Sequence, residues 1–324
     1  MIRVGVPEDT PQTLLVDFPT QGVELVRLSN SLSGSVEMDF WIPPSFGWIA
    51  ANMLPHLRGL RVVQSLMAGV DWILPQLPPG VTLCDGRGLH DIPVAEWVLG
   101  AILASLKRFP DYRDRQREQV WAGQKGQRAK QAASAGNPAH ALPYFVLGDE
   151  LHGKTVLILG YGSIGAAVER LLAPFGTRVL RTARTARPSV SALQDLPALL
   201  PQADVVVVLV PLTPATRGII DATTLQQMKP GALLVNAARG PVVATDALVA
   251  ELQAGRIHAV VDVTDPEPLP PGHPLWTAPN CFITPHVAGS VEAFAGRAYQ
   301  FAAAQVQRFV AGEPLENQVS EAGY

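Results

Sequence analysis

Short apolar runs alternate with polar or amphipathic segments along most of the chain. In residues 1–90, Arg3–Val6, Val23–Leu28, Met38–Ile42, Arg61–Leu66 and Val81–Cys84 read as strands, and Phe46–Leu57 as a helix. Further on, Lys154–Gly160, Thr177–Thr182, Ala203–Val210, Gly231–Asn236, Ile257–Val263 and Phe282–Thr284 read as strands. Between them the spacing predicts helices over Ser163–Ala173, Ser191–Leu200 and Ala244–Ala254, the last with Thr245 and Asp246 as candidate caps. Ala203–Val210 is almost purely apolar, as expected of a strand covered on both faces. This βα alternation predicts an α/β fold with parallel sheets. Pro93 opens a helix over Val94–Leu106 that is apolar nearly all round, which fits an interdomain or subunit interface. The chain turns polar from Lys107, and 124–147 is rich in Ala, Gly and Pro, reading as a long connection or a partner-embracing arm. Ser290–Val310 predicts a last long helix, stopped by Gly312 and Pro314. The economical picture is two lobes with a cleft, the last helix crossing back to the first lobe.

One stretch organises this pattern. Val156–Leu159 runs directly into Gly160-Tyr161-Gly162-Ser163-Ile164-Gly165 and then an amphipathic helix. Strand, glycine turn and helix in that order form a dinucleotide fingerprint. Gly160 permits the turn, Gly162 lets backbone approach a pyrophosphate, and Gly165 lets helix pack on strand. The helix N-terminus offers N–H groups and a positive dipole end to phosphate. The competing reading is a glycine-rich βα turn without a ligand.

The cofactor expectation follows from what comes after the next strand. An acid about 20 residues beyond the glycines normally grips the ribose hydroxyls. Here the segment is Arg181-Thr182-Ala183-Arg184-Thr185-Ala186-Arg187, with no acid. A carboxylate repels a 2′-phosphate, whereas arginine binds one in a fork. NADP(H) is therefore expected in preference to NAD(H), with Arg184, Thr182 and Arg181 or Arg187 as its ligands. Gly160, Gly162, Ser163, Ile164, Gly165, Val210, Pro211, Ala237, Asp262 and His286 complete the expected cofactor contacts.

Composition narrows the alternatives. With 25 basic against 28 acidic residues the chain has no basic footprint for nucleic acid. Two distant cysteines, Cys84 and Cys281, suit neither a disulfide framework nor a metal site. The start Met1–Val6 resembles a strand rather than a signal peptide, and no apolar run reaches about 18 residues, so no membrane span is expected. A cytoplasmic protein without metal is the expectation.

Chemistry concentrates at predicted strand ends. Val235–Gly240 ends on Arg239, Val261–Leu269 runs into Asp262 and Glu267, and Thr284–Gly289 carries His286. All share the rim of the glycine turn, where α/β sheets bind ligands. Singly, Arg239 reads equally as a surface ion pair, Glu267 as a loop acid and His286 as a capping histidine. In the first lobe, the turn Met67–Asp71 follows a strand, and the N–H groups of Ala68 and Gly69 can hold a carboxylate; an ordinary βα turn is the alternative.

Taken together, Ala68–Asp71, Val94–Glu96, Gly160–Gly165, Asn236–Gly240, Asp262–Leu269, His273–Trp276, Thr284–Gly289 and Gly312–Leu315 resemble the D-isomer-specific 2-hydroxyacid dehydrogenases, most closely the NADPH-dependent glyoxylate/hydroxypyruvate reductases. The resemblance implies two Rossmann-like or flavodoxin-like lobes, a substrate-binding one from 1–92 plus 290–324 and a dinucleotide-binding one over 93–289, usually as a homodimer. It implies a 2-keto or 2-hydroxy acid substrate held by Ala68 and Gly69, with Arg239, Glu267 and His286 catalytic. His286 then serves as proton donor, Glu267 orients it, Arg239 polarises the carbonyl, and Asp262 positions the site. Departures are Thr264, where an aromatic is expected, and Trp41, Phe46 and Trp48 in the substrate lobe, which either make the pocket more apolar or are simply core. Glu267 argues against formate dehydrogenases, which pair histidine with glutamine. The end at Tyr324 leaves no room for a regulatory domain of the phosphoglycerate dehydrogenase kind. A dinucleotide-sensing relative without turnover, or a phosphite-oxidising enzyme, remains an alternative.

Overall fold

The structure, a computed structural model, describes residues 1–44, 47–120 and 148–319. The arm expected at 124–147 lies outside the described residues, as do Phe46 and the side chain of Trp48. The described residues form two compact units. Met1–Val94, Pro211–Ala215 and the chain from Gly289 make one; Ala95–Val210 and Thr216–Ala288 make the other.

The first unit contains β1 (Ile2–Pro7), β2 (Val23–Leu28), β3 (Val36–Glu37), β4 (Phe40–Trp41), β5 (Leu57–Arg58), β6 (Val62–Gln64) and β7 (Thr82–Cys84). Five of these build a parallel sheet in the order β2-β1-β4-β6-β7, and β3 pairs with β5 alongside. Counted along the chain that order is 2-1-3-4-5, the flavodoxin-like arrangement. Strand alternation sends Val4, Val6, Phe40, Ile42 and Val62 to one face, where Ala298, Ala302, Ala303 and Val306 of the helix Phe294–Ala311 cover them. Its run of alanines is what lets that helix sit close. Trp41, Val63 and Leu83 point to the other face, against Met53, Val70 and Ile73. Trp41 is therefore core.

The second unit holds β8 (Thr155–Leu159), β9 (Arg178–Ala183), β10 (Ser191–Ala192), β11 (Val205–Val208), β12 (Leu233–Asn236), β13 (His258–Val261) and β14 (Cys281–Ile283). They form one parallel sheet in the order β10-β9-β8-β11-β12-β13-β14. This is the doubly wound Rossmann order with one added strand, and its direction reverses between β8 and β11. Every residue of β8, β11 and β12 is buried, which is why these strands read as unbroken apolar runs.

Some elements differ from expectation. Ser191 and Ala192 are an edge strand, and the helix predicted over Ser191–Leu200 breaks into short turns because Pro197 and Pro201 interrupt it. A short helix, Ala222–Gln227, arises where none was predicted; Asp221 caps it by accepting from the N–H of Thr224 at 2.8 Å. Thr245 does not cap its helix; its hydroxyl donates to the Asp265 carbonyl at 2.9 Å. The long helix starts at Asp91 and breaks at Arg108, whose φ of 59° begins a second helix, Phe109–Arg117. No described helix is long and apolar enough to cross a membrane.

Candidate active site

The glycine turn sits at the sheet's reversal point. Gly160 ends β8 with a φ of 103°, and a Cβ there would lie 2.6 Å from both the Leu209 carbonyl carbon and the Val210 nitrogen. Only glycine meets both demands. The N–H groups of Gly160 and Tyr161 donate to the Thr182 carbonyl at 3.0 and 2.7 Å, tying the turn to β9. Gly162 is exposed, and nothing lies within 4 Å of where its Cβ would stand. Ser163, Ile164 and Gly165 form the first turn of the helix Ser163–Leu172, whose dipole end adjoins that open space. This cradle fits a dinucleotide pyrophosphate. Val210 is buried at the neighbouring strand end, and the Ala237 N–H bonds back to Val208 at 3.3 Å. Pro211 is exposed and groups with the first unit.

At the end of β9 the four expected phosphate ligands separate. Thr182 has no exposed surface, and its hydroxyl donates to the Ile158 carbonyl at 3.5 Å, so it braces the sheet rather than meeting a ligand. Arg181 turns to the helix and forms a two-pronged ion pair with Glu169, which also accepts from the Tyr161 hydroxyl at 2.6 Å. Arg181 holds the Glu169 carboxyl below its ordinary range. Of these two expected ligands, Thr182 is buried and Arg181 is already paired with a carboxylate. Arg184 is exposed and has no partner among the described residues. Arg187 is exposed, donates to the Tyr161 carbonyl, and places its guanidinium 5.8 Å from the Tyr161 ring centre. Among the described residues, no carboxylate lies in the segment that ends β9, Thr182 to Arg187.

The ends of β12, β13 and β14 carry the chemistry. Asn236, buried, shapes the exit of β12: its side chain accepts from the Ala238 N–H at 3.1 Å and donates to the Arg239 carbonyl at 3.2 Å. Gly240 follows, packed so tightly that a Cβ would stand 1.9 Å from the Thr264 carbonyl oxygen. That contact presses the Arg239 loop onto the loop after β13. There Thr264 is buried and donates to the Pro266 carbonyl at 2.9 Å, holding the turn that leads to Glu267.

Asp262 builds the histidine loop. It is 2% exposed, and its carboxylate accepts from the Thr284 hydroxyl at 2.5 Å and from the N–H groups of Val287 and Ala288, both at 2.9 Å. Its carbonyl accepts the His286 N–H at 2.7 Å. These bonds tie the end of β13 to the loop after β14, so Asp262 positions His286. His286 has a φ of 55°, a left-handed conformation this clamp sustains. Its Nδ1 lies 2.6 Å from Glu267 Oε1, with both side chains partly exposed. The hydrogen bond from His286 holds the Glu267 carboxyl below the ordinary range, and the charge of Arg239 adds to the effect. An ionised Glu267 accepts the Nδ1 proton, which leaves Nε2 as the exchangeable position.

In the first unit, the turn after β6 leaves the N–H groups of Ala68 and Gly69 unbonded among the described residues. Ser65 braces the turn, exchanging hydrogen bonds with the carbonyl and N–H of Met67, each 3.0 Å. Two half-buried, unpaired backbone donors suit an anion.

Residues 99–288 match the family described as D-isomer specific 2-hydroxyacid dehydrogenase, NAD binding domain. The chain belongs to this family. The dehydrogenase is 33% identical over 278 residues to the glyoxylate reductase of Thermofilum pendens, a match covering 82% of this chain and 76% of that one. It is 32% identical over 269 residues to the human glyoxylate reductase/hydroxypyruvate reductase, covering 80% and 77% of the two chains. Among solved structures, a D-isomer specific 2-hydroxyacid dehydrogenase from Xanthobacter autotrophicus in complex with NADPH superposes with a TM-score of 0.78 at 29% identity, over 99% of this chain and 98% of that one. An NADPH-dependent glyoxylate/hydroxypyruvate reductase from Sinorhizobium meliloti gives 0.80 at 26% identity, over 100% and 99%. The dehydrogenase is thus a nicotinamide-dinucleotide-dependent oxidoreductase with parallel α/β lobes.

Sequence reasoning did not single out Asn236, Thr284 or Glu169. Each lies in or beside a recognised motif. Their roles are contacts across 3, 22 and 12 residues, which composition and period do not encode.

Proposed function

We propose that this dehydrogenase reduces small 2-keto acids to D-2-hydroxy acids with NADPH, as a glyoxylate/hydroxypyruvate reductase, and accepts NADH less well. The observation that carries the reading is the His286–Glu267 pair at 2.6 Å, on a loop that Asp262 clamps in a left-handed turn. A bound reduced nicotinamide supplies the hydride. His286, protonated, gives the Nε2 proton to the oxygen of the reduced carbonyl and keeps its Nδ1 proton, which it donates in a hydrogen bond to Glu267. The Glu267 charge stabilises the imidazolium beforehand and fixes the ring's orientation. Arg239 polarises the carbonyl and stabilises the charge that develops on its oxygen. Ala68 and Gly69 hold the substrate carboxylate through their backbone N–H groups.

The glycine turn carries the pyrophosphate, and Arg184 with Arg187 takes the 2′-phosphate. The lack of an acid at the end of β9 supports the NADPH preference, as do the NADPH complex of the Xanthobacter autotrophicus dehydrogenase and the NADPH dependence of the Sinorhizobium meliloti reductase. The reading includes a homodimer, supported by the half-exposed apolar residues Trp97, Leu99, Leu103 and Leu106 on the helix Asp91–Leu106, and a cytoplasmic setting, supported by two unpaired cysteines.

Steady-state rates with glyoxylate, hydroxypyruvate and bulkier 2-keto acids, each with NADPH and NADH, test it. Turnover of the small acids with a lower KM for NADPH is the expected result. Tight dinucleotide binding without turnover of any keto acid would replace it by a sensing role.

A further inference from the structure

A buried carboxylate beside the Ala68–Gly69 turn takes no part in the mechanism above. Asp85 follows β7 and is 1% exposed. Its Oδ1 accepts from the Arg87 N–H at 3.0 Å and from Arg87 Nε at 3.1 Å, while Oδ2 is buried without a partner among the described residues. Burying a charge is costly unless it is paired, and Arg87 is the cation that pairs it.

The backbone here is held from several sides. Asp85 donates its N–H to the Asn317 carbonyl at 3.0 Å, and its carbonyl accepts from Gln64 Nε2 at 3.2 Å. Asn317 Nδ2 donates to the Arg87 carbonyl at 2.9 Å. Gln64 in turn accepts from Gln305 of the final helix at 2.8 Å. The Gly86 N–H donates to the carbonyl of Met67, the residue just before Ala68, at 2.9 Å. Gly86, the residue before Arg87, is thereby tied to the turn whose free N–H groups suit a carboxylate.

The Arg87 side chain is 51% exposed. Asp85 engages its Nε edge, and Nη1 and Nη2 have no partner among the described residues. A guanidinium anchored at Nε presents its remaining N–H groups as a preorganised fork, the geometry that recognises carboxylate and phosphate. A residue needed only to neutralise Asp85 gains nothing from this outward fork.

We infer that Arg87 is a specificity-determining residue that binds a second anionic group, carboxylate or phosphate, on a 2-keto acid whose first carboxylate rests on Ala68 and Gly69. Asp85 is its positioning residue. The inference rests on the keto-acid reductase reading.

The test compares kcat/KM for glyoxylate, oxaloacetate and 3-phosphohydroxypyruvate in the wild type, Arg87→Gln and the double variant Asp85→Asn/Arg87→Gln. The double variant removes the buried charge that Arg87→Gln alone leaves unpaired, so it keeps the test independent of folding. Loss of a charge-assisted bond predicts that the dianion-to-glyoxylate ratio falls about tenfold or more in both variants, mainly through KM. The arm that falls identifies carboxylate or phosphate. Arg87→Lys, which keeps the charge but lacks the fork, should not restore the ratio. A wild type that reduces glyoxylate but neither dianion overturns the inference, and so does a ratio within about twofold of wild type in the folded double variant. No turnover of any of the three acids would overturn the underlying reductase reading instead.

Discussion

Gly240→Ala separates positioning from chemistry, because Gly240 carries no reacting group. A methyl there would stand 1.9 Å from the Thr264 carbonyl oxygen, 2.1 Å from its carbon and 2.7 Å from the Asp265 nitrogen. Ordinary contact begins near 3.5 Å, so the two backbones must part by roughly 1.5 Å. Neither neighbour is a flexible side-chain tip that can swing aside. Overpacking of this kind costs about 1–3 kcal/mol, against a typical total of about 5–15 kcal/mol, so the protein should still fold. For a unit of this size that corresponds to a fall in Tm of about 2–12 °C. Glu267 lies three residues beyond Thr264, and its oxygen is 2.6 Å from His286. A misplacement of about 1 Å in a reacting constellation costs on the order of 100-fold in rate. The assay is kcat with glyoxylate and NADPH, beside a melting curve and a dinucleotide titration followed by fluorescence. The expected result is a kcat loss far larger than any loss of dinucleotide affinity, since the glycine turn belongs to β8 and β9. A kcat within about threefold of wild type, with an unshifted Tm, would refute the claim that this contact sets the site.

Other outcomes test separate links. His286→Ala should leave dinucleotide affinity intact while lowering kcat by about 10²–10⁴-fold, and near-normal rates would reject His286 as the acid. Because the Glu267 carboxyl is held below its ordinary range, its stabilisation is complete above that range and is lost as pH falls through the lowered value. The gap in urea midpoint between wild type and Glu267→Gln should therefore narrow as pH falls below about 4; a gap that persists undiminished there contradicts the pairing. Arg184→Ala should raise KM for NADPH by about tenfold or more with a much smaller effect on NADH, and equal effects on both would dismiss the phosphate contact. Burial pushes the thiols of Cys84 and Cys281 up to about 12, so a thiol reagent at neutral pH should react with the native protein far more slowly than with the denatured one.

The sequence exposes what is periodic or local. β8 and β11 are buried on both faces, so continuous runs such as Val205–Val208 declare a parallel sheet directly. The glycine turn is legible because a sharp exit and a close approach to Leu209 each exclude any side chain. Arg239, Glu267 and His286 stand out because each lies just past a predicted strand end on the rim of the glycine turn. The segment after Ser191 reads as one helix because its leucine spacing is helical, but Pro197 and Pro201 remove the N–H groups a continuous helix needs.

Electrostatic partners are a different matter, and the arginines around β9 show why. Arg181, Arg184 and Arg187 look equivalent as letters near a phosphate. What separates them is a carboxylate on another element: Glu169, on the helix after the glycine turn, pairs with Arg181. Arg184 lies past the end of β9 on the exposed loop, beyond that partner. The same holds for Asp262, which reads as one more acid at a strand end until its three acceptor bonds to 284–288 are counted. In both cases a charge is committed before any ligand arrives, and such commitments lie in contacts between segments rather than in either segment alone. Arg87 shows the converse, where a buried carboxylate engages one edge of a guanidinium and thereby aims the other. Whether a charged residue in this fold serves a ligand thus depends on how much of its hydrogen-bonding capacity the rest of the chain has already claimed.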